Sequence, residues 1–175
     1  RDREFGNKKV TPGLYMLSRA GLWMDPGGMF WLDPTNATTT SWISSVVLEL
    51  KGLGFDEVLL DNFRFPDSNQ YIFNGDKDAA LQQAAATLVS ACASEDFTLS
   101  FLTTGAAFPL PDGRTRLYLE NVSAAGIGNA VGATTFEEKE IRLVFLSDIG
   151  DTRFDEYSVL RSIEVAEEVE ARKAG

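Results

Sequence analysis

Residues 54–66, GFDEVLLDNFRFP, place an aspartate and an arginine three residues apart directly behind a run of aliphatic side chains. Val58, Leu59 and Leu60 show no polar alternation, as expected of a parallel strand covered on both faces. Asp61 and Arg64 stand where that run stops. In folds built from βα units, the carboxyl ends of strands carry the chemistry. A carboxylate there can act as nucleophile or base, or as a charge that steadies a developing cation. A neighbouring guanidinium can hold it ionised or bind an oxygen-rich ligand. The same two residues can also simply pair with each other or cap a turn, and the motif alone leaves both readings open.

The chain has no histidine and one cysteine, Cys92. Within these residues that excludes a Ser-His-Asp or Cys-His arrangement, a zinc site with histidine ligands and an internal disulfide. Acid–base chemistry would have to rest on carboxylates, and no metal or cofactor is expected. Three further acids close extended runs: Asp33 in MFWLDP, Glu120 in LYLE and Asp148 in RLVFLSD. Each has a plainer use. Asp148 and Asp151 can cap the last helix, and Glu120 can be a solvated hairpin residue. Asp56 and Glu57 begin their strand, at the end away from the chemistry, and read as structural.

The elements that would position these residues follow from periodicity. Trp42, Ile43, Val46, Val47, Leu50 and Leu53 recur at helical spacing over 38–53, with Ser and Thr available at the start and Gly52 and Gly54 at the end. A strand over 57–62 follows. A second helix is predicted over 78–94, with Asp76 or Asp78 as its N-cap and Leu81, Ala84, Ala85, Leu88, Val89 and Cys92 inward. FTLSFLT (97–103) is the next strand. Pro111-Asp112-Gly113 predicts a hairpin-like excursion leading into LYLE. Residues 140–148 read as a strand and 155–172 as a charged amphipathic helix through Val159, Leu160, Ile163, Ala166 and Val169. Residues 1–28 are mostly loop, with a short strand at 15–17. The order is α/β with a parallel sheet of four or five strands. A closed (β/α)8 barrel needs about 250 residues, so 175 residues suit half of one, and an incomplete barrel leaves sheet edges open to pairing with a second copy.

Bulk composition narrows the partners. Sixteen Lys and Arg against 26 Asp and Glu leave a net charge of −10, which disfavours nucleic acid and anionic membrane. No run of about 20 apolar residues is present to span a bilayer. GIGNAVG (126–132) does not make a GxGxxG loop and has no clear strand before it. The sequons Asn36-Ala37-Thr38 and Asn121-Val122-Ser123 are read as chance matches. The opening RDREFG, without Met, is expected of a processed or truncated chain whose targeting segment lies elsewhere.

FWLDPTN, a helix, and then GFDEVLLDNFRFP resemble a bacterial glycoside hydrolase family with a TIM-barrel-like fold. Its members show a Trp-x-Asn/Asp-Pro segment, a helix and a strand of the GFDEIQFDYIRFP type. The match runs through Gly54-Phe55-Asp56-Glu57, Asp61 and Arg64-Phe65-Pro66, and covers residues 1–66; Arg1-Asp2 looks like the tail of an earlier barrel strand. Where the family carries an Asp on the strand after RFP, this chain has Thr103 and Thr104, and RLVFLSDIGDTRF replaces the family's last strand. The resemblance implies the C-terminal portion of a TIM-like barrel, in an extracellular or cell-surface protein acting on a poly- or oligosaccharide through two carboxylates. On this reading Asp61 is the nucleophile or base, and its partner acid is one of the strand-end acids Asp148, Glu120 and Asp33, with Asp148 favoured. Arg64, Trp31, Asp33 and Glu120 contact the sugar, with Phe63 as a further stacking surface. A degenerate barrel that binds carbohydrate, or a structural domain that kept only the fold, is the alternative.

Overall fold

The structure is a computed structural model that describes residues 12–18, 21–103 and 105–174. The expected strand tail at Arg1-Asp2, and Thr104, lie outside the described residues. Five strands form one parallel sheet: β2 (Glu57–Leu60), β4 (Thr98–Thr103), β5 (Leu117–Glu120), β6 (Leu143–Leu146) and β7 (Ser158–Leu160). Each strand of this sheet pairs with the sheet's next strand in chain order, from β2 through β7, without reversal. The chain is therefore α/β with parallel strands added in one direction. A separate antiparallel pair, β1 (Tyr15–Met16) with β3 (Tyr71–Ile72), lies outside this sheet.

Helix α1 (Ala37–Gly52) starts where Asn36, in an extended conformation, accepts a hydrogen bond from the Thr38 backbone at 2.9 Å. It ends in a Schellman arrangement: Gly54 adopts φ +92°, its N–H donates to the Lys51 carbonyl, and the Phe55 N–H donates to the Leu50 carbonyl. A side chain at position 54 would be strained in that left-handed conformation. Helix α2 (Lys77–Cys92) is capped by Asp76, whose carboxylate accepts from the Asp78 and Ala79 backbones at 2.9 and 3.0 Å. Ala80, Ala84, Leu88 and Cys92 repeat at four-residue spacing on its buried face.

Strand alternation separates two faces. Leu99, Phe101, Leu117, Leu119, Leu143 and Phe145 pack with Val47 of α1 and Ala85, Leu88, Val89 and Cys92 of α2 in one core. The other face carries a polar network at the strand starts. Glu57 accepts from Ser100 at 2.5 Å, from Arg116 at 2.7 Å and from Tyr118 at 3.1 Å. Burial, and then the Glu57 carboxylate, push the Tyr118 phenol above its ordinary value. Glu57 thus ties three neighbouring strands together, the structural use expected for it.

Three expectations are corrected. The segment through Pro111-Asp112-Gly113 does not form a hairpin: residues 105–116 cross back without a helix, and LYLE enters the sheet parallel to β4. About a dozen residues suffice for a parallel crossover. The helix expected over 155–172 is divided into a 3-10 turn (Thr152–Glu156), β7 and a helix over Ile163–Ala174. Phe145 of β6 takes Val159 as its parallel partner, and sheet pairing overrides the helical spacing. The strand expected over 140–148 shortens to β6, because Lys139–Arg142 form a helical turn. GIGNAVG is helical over Ile127–Ala133, and both sequons hold capping residues, Asn36 for α1 and Ser123 for a 3-10 turn.

β2 and β7 are the outer strands of this sheet. Among the described residues no strand pairs with the free side of β2. A free edge offers unpaired N–H and C=O groups to a second chain, and self-association through it is the expected result. Light scattering checks this: the mass of a single 175-residue chain, unchanged at high concentration, would count against the edge as a pairing surface.

Candidate functional site

Asp61 follows β2 immediately, and the chain turns there because Asn62 adopts φ 54°, a left-handed conformation that asparagine tolerates. The Asn62 backbone N–H and side-chain amide donate to the two Asp61 oxygens at 2.5 and 2.8 Å. Asp61 is otherwise exposed. Arg64 sits over the Trp31 ring at 5.6 Å. Among the described residues Asp61 and Arg64 make no ion pair with each other or with a third group.

Asp61, Arg64 and Trp31 line one cleft of about 230 Å³, walled by Trp42 and Ile43 of α1 and by Leu81, Ala84 and Leu88 of α2. Phe63, Arg64 and Leu81 are shared with an adjoining cleft of about 270 Å³, whose other walls include Asp78, Gln82, Thr103 and Phe108. The two spaces thus meet across a wall made of Phe63 and Arg64. Phe63 is held there by edge-on contacts with Phe101 at 4.7 Å and Phe108 at 6.0 Å.

The other sequence-predicted residues lie differently. Trp31 is only 5% exposed; its indole N–H donates to Asp25 at 3.0 Å, and it packs in a cluster with Leu14, Trp23 and Tyr71. It borders the cleft as a buried wall. Asp33 is adjacent in sequence to the lining residues Leu32 and Pro34, but its carboxylate accepts from the Thr35 backbone and hydroxyl at 2.9 and 2.6 Å and so fixes the turn before α1. Glu120 ends β5, exposed, and lines neither cleft. Asp148 lies past β6, three strands from β2 in the sheet order. The Ser162 backbone N–H, donating at 2.8 Å, holds its carboxyl below the usual range. Asp151 likewise is drawn down to about 2 by the Arg153 guanidinium. Asp148 thus braces the entry to the C-terminal helix, whereas Asp151 caps the 3-10 turn Thr152–Glu156.

Two residues at the clefts were missed by sequence reasoning. Trp42 counts in the sequence only as part of a helical apolar spacing, yet it is half-buried and lines the Asp61 cleft. Asp78 was considered only as a cap. Asp76 takes that role, and the Asp78 carboxylate has no partner among the described residues and lines the adjoining cleft. The D-x-D spacing was the available signal, since one helix start uses one capping side chain.

No family model matches this chain, and no curated protein does. Among solved structures it is similar to the crystal structure of a hypothetical protein from Ruminiclostridium thermocellum ATCC 27405, at 25% identity and a TM-score of 0.51. The match covers 57% of this chain and 52% of that one, so the chain spans about half the length of the protein it resembles.

Proposed function

We propose that the paired clefts bind a poly- or oligosaccharide and that the protein is a glycoside hydrolase, its Asp61 serving as nucleophile or base. The observation that carries the reading is the position of Asp61 and Arg64. Among the described residues they stand free of ion pairs at the carboxyl end of a parallel strand, on the wall of a cleft that shares Phe63, Arg64 and Leu81 with a second. Two clefts side by side would take neighbouring units of a chain. Half-buried Trp42 offers a ring for sugar stacking, and Arg64 offers fixed donors for hydroxyls. The one-directional strand order and the GFDEVLLDNFRFP motif support a TIM-like barrel portion, and the motif's family supports an extracellular or cell-surface setting. Asp78 replaces Asp148 as the proposed second acid, because the Asp148 carboxylate is committed to Ser162.

One feature favours carbohydrate binding without hydrolysis: Asp61 is the only acid among the described residues lining its own cleft. The deciding experiment is a screen of the intact protein against soluble polysaccharides, following both binding and reducing-end release. Trp42→Ala is expected to weaken binding by roughly tenfold or more, within the range for losing an aromatic contact. Absence of binding to every glycan would remove the proposal, and binding without release would leave the degenerate reading.

A further inference from the structure

At the opposite end of the sheet from Asp61, three arginines converge on a cavity of about 330 Å³. Arg114, Arg116 and Arg142 line it with Thr98, Thr115 and Glu138. In a chain of net charge −10, such convergence of cations calls for a reason. Each guanidinium is held by part of its own donor set. Arg114 donates through Nε to the Thr98 hydroxyl at 3.2 Å and through Nη1 to the Glu95 carbonyl. Arg116 donates through Nη1 to Glu57 at 2.7 Å. Arg142 donates through Nε to the Thr115 carbonyl at 3.3 Å and through Nη2 to the Thr115 hydroxyl and the Pro111 carbonyl at 2.8 and 3.1 Å, and it stacks over Phe136 at 5.2 Å. Among the described residues Arg114 Nη2 and Arg142 Nη1 remain unspent, and Arg116, which also reaches the Tyr118 hydroxyl, keeps part of its fork for a ligand.

We infer that this cavity is a binding site for a tetrahedral oxyanion, such as phosphate or the phosphoryl group of a small ester. Planar guanidiniums whose other nitrogens are already anchored lose little freedom on binding, and their fork geometry matches oxyanion oxygens. Glu57 offsets Arg116, Glu138 lies at the wall and Asp96 feels the Arg114 charge, so the positive charges are largely balanced. That balance suits a ligand held by directed hydrogen bonds and of modest affinity. The site is independent of the carbohydrate cleft, which lies at the other ends of the strands.

The test is a titration of ¹⁵N-labelled protein with sodium phosphate, with sodium chloride at matched ionic strength as reference. Saturable shifts confined to residues 113–116 and 138–142 and to the arginine side chains are expected with phosphate only. Arg114 is exposed, and Arg114→Gln is expected to weaken the apparent affinity roughly tenfold, the effect of one lost charge-assisted hydrogen bond. Arg116→Lys, which can keep the Glu57 pair but loses the fork, is expected to weaken it as well and serves if Arg114→Gln perturbs the fold. Equal shifts with chloride, a response centred elsewhere, or variants that titrate like the parent would overturn the site.

Discussion

Under the proposed function, Asp61→Asn is expected to reduce glycan hydrolysis by the intact protein roughly 100- to 1,000-fold, while leaving folding and glycan binding in place. The carboxylate sits at a strand end facing a cleft, where its negative charge would stabilise an oxocarbenium-like transition state or form the glycosyl intermediate. Asparagine has nearly the same shape, and its carbonyl oxygen can still accept the Asn62 N–H that reaches Asp61 at 2.5 Å. What it loses is the charge and the second acceptor, which takes the Asn62 amide at 2.8 Å. Because the residue is exposed, the stability cost should stay within about 0.5 kcal/mol. Parallel measurements of turnover, glycan affinity and melting temperature separate these effects. Full activity in the variant would exclude Asp61 from the chemistry. Asp78→Asn, measured beside it, asks whether the adjoining cleft supplies the second acid; unchanged turnover there would return the search to residues beyond these clefts.

Much of this architecture was legible because local signals agreed with tertiary packing. Gly54 marks the end of α1 by capping chemistry, although its start is capped by Asn36 and not by the Ser or Thr expected there, and the aliphatic run of β2 leads to Asp61 where a βα fold keeps its chemistry. The misread segments are those where local signals were outvoted. Pro111-Asp112-Gly113 makes a turn, but nothing local says whether the chain returns antiparallel or crosses over to run parallel. Val159 and Leu160 fit a helical stripe, but their strand pairs with β6, a contact no window of neighbouring residues contains. The site shows the same division. Asp61 and Arg64 could be found because they share a short motif; Trp42 and Asp78 reach the clefts from two helices, and their approach to Phe63 and Arg64 depends on how α1 and α2 pack. Asp148 failed as a cleft residue because a strand-end acid and a helix-start acid look alike until the Ser162 N–H is placed.

The largest stability effect is expected at Phe101, and it should reach the cleft. Phe101 is fully buried in β4 and lies between Leu60 and Leu117 on the neighbouring strands. It meets the Phe63 ring at 4.7 Å and the Phe108 ring at 5.7 Å. Phe101→Ala removes the ring and leaves a cavity that backbone pairing on both sides prevents from collapsing, a loss of about 3–5 kcal/mol. For a domain whose total stability is about 5–15 kcal/mol, that is a large share, and the melting temperature should fall by roughly 6–20 °C. Phe63 would then lose its closest edge-on partner, and with it the support for the wall shared by the two clefts. Glycan affinity should therefore fall even at temperatures where the variant remains folded. Phe55 is more than half exposed, so Phe55→Ala is the matched control and should shift stability by no more than about 0.5 kcal/mol. Phe101→Leu, which keeps much of the volume, should recover part of the stability without restoring the edge-on contact to Phe63. A thermal scan and a binding isotherm on the three variants check both halves. If Phe101→Ala melts within about 2 °C of the parent, the ring does not anchor this core; if it is destabilised yet binds glycan unchanged below its melting point, Phe63 does not depend on Phe101 for its place in the cleft wall.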